Sequence, residues 1–475
     1  MRRIALTLPT NRPCAPALTA LGHEAAYAAD HFGVHVELLV LDSSDGERAG
    51  PVHAEHARTL RALPAQPRVT VRHLDEQRQR AFLAAVSEAA APEGSTATDT
   101  DALLALLLPA RLSYGACTNR AFLIAAALGC ESVHRRDSDS RYQQDPAGRT
   151  VFPVHHELAA LGRPASAAGE SVSKTVLAEE LAERPVALVG GSFIGEPSVD
   201  IEEIDRLDPE VYHEVVSLWA PMDWSAERKS ALVEESFRGA GKTPFVADES
   251  TLTLVDPMRV DMCNIAFHGV HEQVPLPPAT ETIGSDYFLL HLVRHAGLPG
   301  VLHNRDIVNF HTPERRTDRG FAAYQLRFVK FLLSMLYLNH LYDRLAEDGP
   351  VLTDDAGRLR ASAVADLVRH STALDRSENR ERLARVDAAY RRLGGRYEQF
   401  ADSLLPRRAA LLDEARADMA QFAELIEHWG ALIHAAPGCA GLLDRPDPED
   451  RPDPEDRPDP EGRPDPEGRT GQADG

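Results

Sequence analysis

The segment Asp137-Ser138-Asp139 closes a run, Glu131–Arg136, whose pattern predicts a short strand. Side chains alternate along a strand, so residues 137 and 139 are expected on one side, where two carboxylates can share a hard divalent cation or its bound waters. Taken alone, such a D-x-D is equally a solvated turn. Asp286 follows Ser285, a good N-cap, and is expected in a first helical turn. The helix dipole favours an ionised carboxylate there, and that carboxylate can take a proton from a hydroxyl. Plain capping would also explain an Asp at that position. His311 follows the apolar strand pattern Ile307-Val308-Asn309-Phe310. Neutral imidazole is a good metal ligand, although a lone histidine is more often structural. Asp42 ends the strand pattern Val36–Leu41 and opens the turn Asp42-Ser43-Ser44-Asp45-Gly46. It can accept a hydrogen bond from a base or ribose, or simply make an Asx turn. Arg120 lies in the first turn of a helix predicted over Asn119–Leu128, with Thr118 as N-cap and Gly129 as C-cap. From there it could face a phosphate, or be a surface arginine.

The elements that must position these residues alternate. Strand patterns at Arg3–Leu8, Val36–Leu41, Arg68–His73 and Glu131–Arg136 are separated by helical patterns at Ala15–Asp30, Glu76–Ala91 and Asn119–Leu128. Pro92–Asp101 reads as a polar loop. This βαβα rhythm predicts a parallel sheet with helices on both faces. The turn Pro9–Pro13 then falls at the carboxyl edge of the sheet, where such folds bind ligands. From about Gln143 to Asn309 the chain mixes short helices, strands and Pro/Gly-rich loops. From Arg316 to Ala436 it is helical, with apolar residues at helical spacing over Phe321–Leu345 and Ala384–Ile433, punctuated by Gly394-Gly395 and Pro406. A hexapeptide, RPDPED or RPDPEG, then repeats from Arg445, Arg451, Arg457 and Arg463. Alternating prolines and charges without apolar residues predict a disordered tail.

Formal net charge is -22, which disfavours nucleic acid as a partner. Residues 444–475 carry twelve acidic and five basic residues, a net of -7, so the remainder keeps -15. An acidic protein that handles an anionic ligand must neutralise it locally, and a bound cation is the usual device. The five cysteines, at 14, 117, 130, 263 and 439, form no C-x-x-C pair, which argues against a disulfide framework or structural zinc–thiolate site. The N-terminal apolar run stops at Pro9, too short for a signal sequence, and no stretch is expected to span a membrane. A cytoplasmic location is expected.

In order along the chain, these pieces resemble the GT-A fold glycosyltransferases of the family-2 type, which use nucleotide diphosphate sugars. Such enzymes open with a strand ending in a segment similar to Pro9-Thr10-Asn11-Arg12. Their second strand ends in an acidic turn like Asp42–Asp45. A helix with Asn and Arg near its start, similar to Asn119-Arg120, precedes the D-x-D strand. An acidic residue opening a helix resembles Asp286, and a late histidine in several members resembles His311. The resemblance covers about residues 3–313. It implies an α/β, Rossmann-like GT-A catalytic domain over 1–313, followed by a helical domain over 314–443 and the tail over 444–475. It implies a nucleotide diphosphate sugar as donor and a hydroxyl or amine acceptor that the sequence does not identify. Pro9, Thr10, Arg12, Asp42, Asn119, Arg120 and Asp137 would bind the nucleotide sugar. Asp137, Asp139 and His311 would hold Mn2+ or Mg2+. Asp286 would be the catalytic base of an inverting enzyme, or position the acceptor in a retaining one.

Other motifs fail their context. Gly239-Ala240-Gly241-Lys242-Thr243 resembles the end of a P-loop, but follows a charged helical pattern rather than a strand. His156-Glu157 starts like a zincin motif but lacks its second histidine. His291 and His295 stand one helical turn apart without an evident third ligand. Val189–Gly195 is read as a tight turn after a strand. Two rival readings remain: a sugar nucleotidyltransferase, disfavoured because Thr10–Ala17 lacks the Gly-rich, Arg- and Lys-containing loop, and a catalytically inactive binding or scaffold protein.

Overall fold

The computed structural model describes residues 1–475 except 47–48, 93, 95, 198, 200, 311–316, 355–356 and 445–475. His311 and the repeat tail lie outside the described residues. Ten strands form one sheet: β1 (Arg3–Thr10), β2 (His35–Asp42), β3 (Val69–Leu74), β4 (Ser132–Arg135), β5 (Ser140–Tyr142), β6 (Lys174–Thr175), β7 (Leu188–Gly195), β8 (Ser250–Thr253), β9 (Ile265–His268) and β10 (Gly300–Asn309). The order is β3-β2-β1-β4-β9-β7-β10-β8-β6, with β5 on the end of β10. β1 pairs in parallel with β2 on one side and β4 on the other. The chain therefore moves outward to β3, then returns across β1. This makes a topological switch point, and a crevice opens beyond the carboxyl ends of β1 and β4. β9 runs antiparallel between β4 and β7, and β10 returns parallel to β7.

β1 and β2 are buried along nearly their whole length, which fits their continuous apolar runs. One face of the sheet packs on helix Ala15–Phe32 through Leu18, Leu21 and Ala25. The other face packs on helices Glu76–Ala90 and Tyr114–Ala127. Two local expectations change. Helix Tyr114–Ala127 starts five residues earlier than expected: Ser113 caps it, and Thr118 sits inside it with its hydroxyl bonded to the Tyr114 carbonyl. The expected loop at 92–101 gives way to helix Ala97–Leu107, opened by a reciprocal capping box between Thr96 and Asp99.

The C-terminal helices are Asp318–Asp348, Ala361–Ser371, Ser377–Leu393, Gly395–Ala401 and Arg408–Ala435. Gly394 and Gly395 break the run with φ of +69° and +55°. These helices share one hydrophobic core with the sheet, running from Leu39 and Phe82 through Phe288 to Trp429. Phe288 meets Phe422 edge-on at 4.9 Å, and the Trp429 indole donates to the His271 carbonyl at 3.0 Å. Helix Asp318–Asp348 is long and apolar enough to cross a membrane by length and composition alone, and 67% of its most apolar window is buried inside the protein, as in a core helix.

Candidate functional site

Two cavities meet at the carboxyl edge of the sheet. The outer crevice, about 440 Å³, lies at the switch point and is lined by Pro9, Thr10, Arg12, Ser43, Asp45 and Arg120 among others. The inner cavity, about 180 Å³, is lined by Asp139, Asp261 and Asp286 and by the aromatic Trp219, Phe237, Phe331 and Tyr342. Tyr114, Arg135, Asp137 and Tyr324 line both. Helix Asp318–Asp348 supplies Tyr324, Phe331, Met335 and Tyr342, so the helical region builds part of the site.

β1 runs two residues further than expected, to Thr10, so the turn expected over Pro9–Pro13 begins at Asn11. The Thr10 hydroxyl bonds the Arg12 carbonyl at 3.0 Å and fixes the turn. The Arg12 guanidinium then reaches Asp139 at 3.6 Å, joining residues 127 positions apart in sequence. Arg120 donates to the Leu107 carbonyl and to the Ser43 hydroxyl, each at 3.2 Å, and borders the outer crevice. Helix Tyr114–Ala127 begins beside that crevice, so its positive end favours anions there.

Asp137-Ser138-Asp139 lies in the turn between β4 and β5, not on a strand. The alternation argument for a shared side therefore does not apply, yet both carboxylates line the inner cavity. Asp137 accepts from the Ser138 backbone N–H at 2.8 Å and from the Cys263 thiol at 3.3 Å. The preceding residue, Arg136, is anchored in the interior by Glu24 at 2.7 Å and Glu157 at 2.9 Å. This is the use of the zincin-like Glu157; His156 instead meets Asp248 at 3.0 Å.

Asp286 pairs with Arg135 at 2.9 Å, both side chains nearly buried. Burial opposes the charge on Arg135, but Asp286, Cys263 and Asp137 outweigh it and raise its pKa. Ser285 makes no capping bond; Gly284 opens a single 3-10 turn over Ser285–Tyr287, followed by helix Phe288–His295. Capping therefore does not account for Asp286.

Two residues expected to hold nucleotide are engaged elsewhere. The Asp42 side chain is 0% exposed and bonded to Ser44, His56 and His73. Ser43 and Asp45, from the same turn, line the crevice instead. The Asn119 side-chain amide clasps the backbone of Leu276 at 2.8 Å in both directions and holds helix Tyr114–Ala127 to that segment.

Asp261 and Cys263 had no sequence signal; the turn that enters β9 brings them to the cavity from a distant segment. Burial raises the pKa of Asp261, and raises that of Cys263 well above the ordinary thiol value, aided by the charges of Asp261 and Asp137. Val189–Gly195 is the body of β7 rather than a turn after it. A Cβ on Gly191 would come within 2.6 Å of the Asn264 and His303 side chains. Ser192 and Phe193 line the inner cavity, and so does His291, stacked on Tyr342 at 3.5 Å.

The profile of a family of unknown function, DUF6271, matches residues 2–441. This chain belongs to DUF6271. The match covers both the sheet and the C-terminal helices of the DUF6271 chain, which is in keeping with their common core. No curated protein matches it. Among solved structures, a crystal structure of a mycobacterial protein is 17% identical, with a TM-score of 0.31, over 70% of this chain and 74% of that one. The mannosyltransferase PcManGT from Pyrobaculum calidifontis, in complex with GDP-Man and Mn2+, is 14% identical, with a TM-score of 0.30, over 94% and 89%. Neither superposition is close enough to bear on the activity of this DUF6271 member.

Proposed function

We propose that this protein is a metal-dependent glycosyltransferase of GT-A type, moving a sugar from a nucleotide diphosphate sugar to a hydroxyl or amine. One observation carries the reading. At the switch point of the sheet, an arginine-bearing crevice runs past Asp137 into a second cavity that holds Asp139 and Asp286. A nucleotide in the outer crevice would lie along Pro9, Thr10, Ser43 and Asp45, with Arg12 and Arg120 toward its phosphates. The donor sugar would then reach the inner cavity.

Asp137 and Asp139 fit a hard divalent cation. Mg2+-type ions are usually held by one or two carboxylates together with substrate phosphates, rather than by a closed protein cage. Among the described residues, no third His, Cys, Asp or Glu completes a cluster with them. His311 remains the proposed further ligand, and β5–β10 pairing supports it: Asn309 lies opposite Ser140, the residue after Asp139. When bound, Mn2+ or Mg2+ would neutralise charge on the departing diphosphate. Arg12 would hold Asp139 and assist at the phosphates. Asp286, oriented by Arg135, would receive the acceptor hydroxyl and its proton, and the aromatic wall would exclude water.

The test is incubation of the purified protein with a panel of UDP- and GDP-sugars, with Mn2+, Mg2+ or a chelator. Slow metal-dependent release of nucleoside diphosphate from at least one donor is expected. Absence of release and of donor binding across the panel would remove the proposal.

A further inference from the structure

Behind the turns that line the outer crevice, three imidazoles converge on one carboxylate oxygen. Asp42 Oδ2 lies 2.7 Å from His56 Nδ1, 3.0 Å from His73 Nε2 and 3.5 Å from His53 Nε2. Asp42 and His56 are 0% exposed, and His73 and His53 are 13% and 25% exposed. The ligand atoms of Asp42, His56 and His73 all lie within 4.8 Å of one another. The residues come from three elements: the end of β2, helix Ala49–Arg61 and β3. His53 and His56 stand three positions apart, on one face of the helix.

His56 makes a polar contact on each ring nitrogen. Its Nε2 lies 3.1 Å from the Arg12 carbonyl, which can only accept, and 3.4 Å from the Cys14 thiol, which can donate or accept. With hydrogen on Nε2 toward the carbonyl, Nδ1 of the neutral ring is a bare lone pair 2.7 Å from a carboxylate oxygen. In that tautomer the contact calls for a positive centre between the two atoms: a proton or a metal ion. Asp42 Oδ1 is already committed to the Ser44 N–H at 2.9 Å, so three nitrogens compete for one oxygen. Metal-bound histidines characteristically donate their other N–H to a carbonyl, and the Arg12 carbonyl is in place to accept one from His56 Nε2. Ligands about 2.0 Å from a tetrahedral ion stand about 3.3 Å apart, close to the 2.7 and 3.0 Å that separate Asp42 Oδ2 from His56 and His73.

We propose that Asp42, His56 and His73 bind a zinc-type transition metal ion, and that His53, now 3.5 Å from Asp42 Oδ2, turns in as fourth ligand. Imidazole ligands favour such an ion over Mg2+. Four protein ligands leave no open position, so the centre is structural. It ties the Arg12 turn of β1, through His56, to the Asp42–Asp45 turn of β2. Those two turns wall the outer crevice, and the centre does not depend on what the crevice binds.

The test uses the full chain, stripped with chelator, reloaded with Zn2+ or Co2+ and analysed for bound metal. About one equivalent is expected, with the visible bands of tetrahedral Co2+ and a higher melting temperature when Zn2+ is added. His73→Asn should lose the ion. The half-exposed His53→Gln, which leaves the buried ligands in place, should weaken Zn2+ at least about tenfold. Asp137→Asn/Asp139→Asn should retain the Zn2+ equivalent, which separates this centre from the proposed donor-site cation. No bound metal in the wild type, or binding that survives both histidine changes, would overturn the proposal and leave an imidazolium–carboxylate cluster.

Discussion

At the scale of single residues, the ion pair between Arg135 and Asp286 is the contact through which the inner cavity would act on a substrate. Asp286→Asn keeps a hydrogen-bonding oxygen for Arg135 and removes the base. Turnover should fall by about two to four orders of magnitude, with donor affinity kept, because the role lies on the acceptor side. Kinetics beside calorimetric donor binding checks this; unchanged turnover would make Asp286 purely structural. Asp306 offers a second test. Its carboxylate accepts from the Ser192 N–H at 2.8 Å, and burial lifts its pKa to about 6 from 3.8. The folded state therefore holds the proton longer than the unfolded chain does. This group subtracts stability progressively as pH rises from about 4 to about 6, and the cost remains above that. Asp306→Asn should be more stable than wild type by about 1–2 kcal/mol at pH 8, with the gain gone at pH 4, read from urea unfolding at both pH values. Chain order and turn position brought Thr10, Arg12, Arg120, Asp137 and Asp139 together in the sequence, and each of them lines one or both of the cavities. The present partners of Asp42 and Asn119, His73 and Leu276, were not legible because they are distant in sequence and nothing local announces the pairing. The H-x-x-H spacing of His53 and His56 was a usable signal for the buried cluster, since i,i+3 histidines share a helix face.

At the scale of elements, β4 must deliver Asp137 to the meeting of the two cavities, and Arg136 anchors its end. The Arg136 guanidinium is 1% exposed and bridges Glu24 and Glu157, themselves 0% exposed. Arg136→Ala would strand two buried carboxylates. Such a loss costs about 3–5 kcal/mol, and the melting temperature should drop accordingly. A change within the range of surface substitutions, about 0.5 kcal/mol, would mean that the cluster is hydrated and does not anchor the strand. β1 and β2 were readable because buried parallel strands are continuous apolar runs, whereas β3, VTVRHL, alternates and β4, SVHR, holds one apolar residue. The antiparallel β9 was not, because its insertion between β4 and β7 is decided by pairing across the sheet rather than by its four residues. Helix Ala97–Leu107 was readable from Thr96 and Asp99, a capping-box pair within a polar stretch that otherwise reads as loop.

At the scale of the whole molecule, the change of pattern after residue 313 marks a change of secondary structure within a continuous core. Phe288 of the sheet region packs on Phe422, and Trp429 reaches the His271 carbonyl. A fragment ending at residue 313 should therefore expose that surface, bind a hydrophobic dye and lack a cooperative thermal transition; a cooperative transition in the fragment would restore the boundary as a domain boundary. The same packing lets helix Asp318–Asp348 wall both cavities, so the proposed acceptor side belongs to the helical region as much as to the sheet. The central claim is that Asp137 and Asp139 serve a cation that holds a nucleotide diphosphate. Calorimetric titration of the full protein with UDP and GDP, with and without Mn2+, tests it most directly. The account predicts that one of the two binds at least about tenfold more tightly with Mn2+. Asp139→Ala should erase that difference and leave weak metal-free binding unchanged. Binding indifferent to Mn2+ and to Asp139, or no binding of either nucleotide, would contradict it.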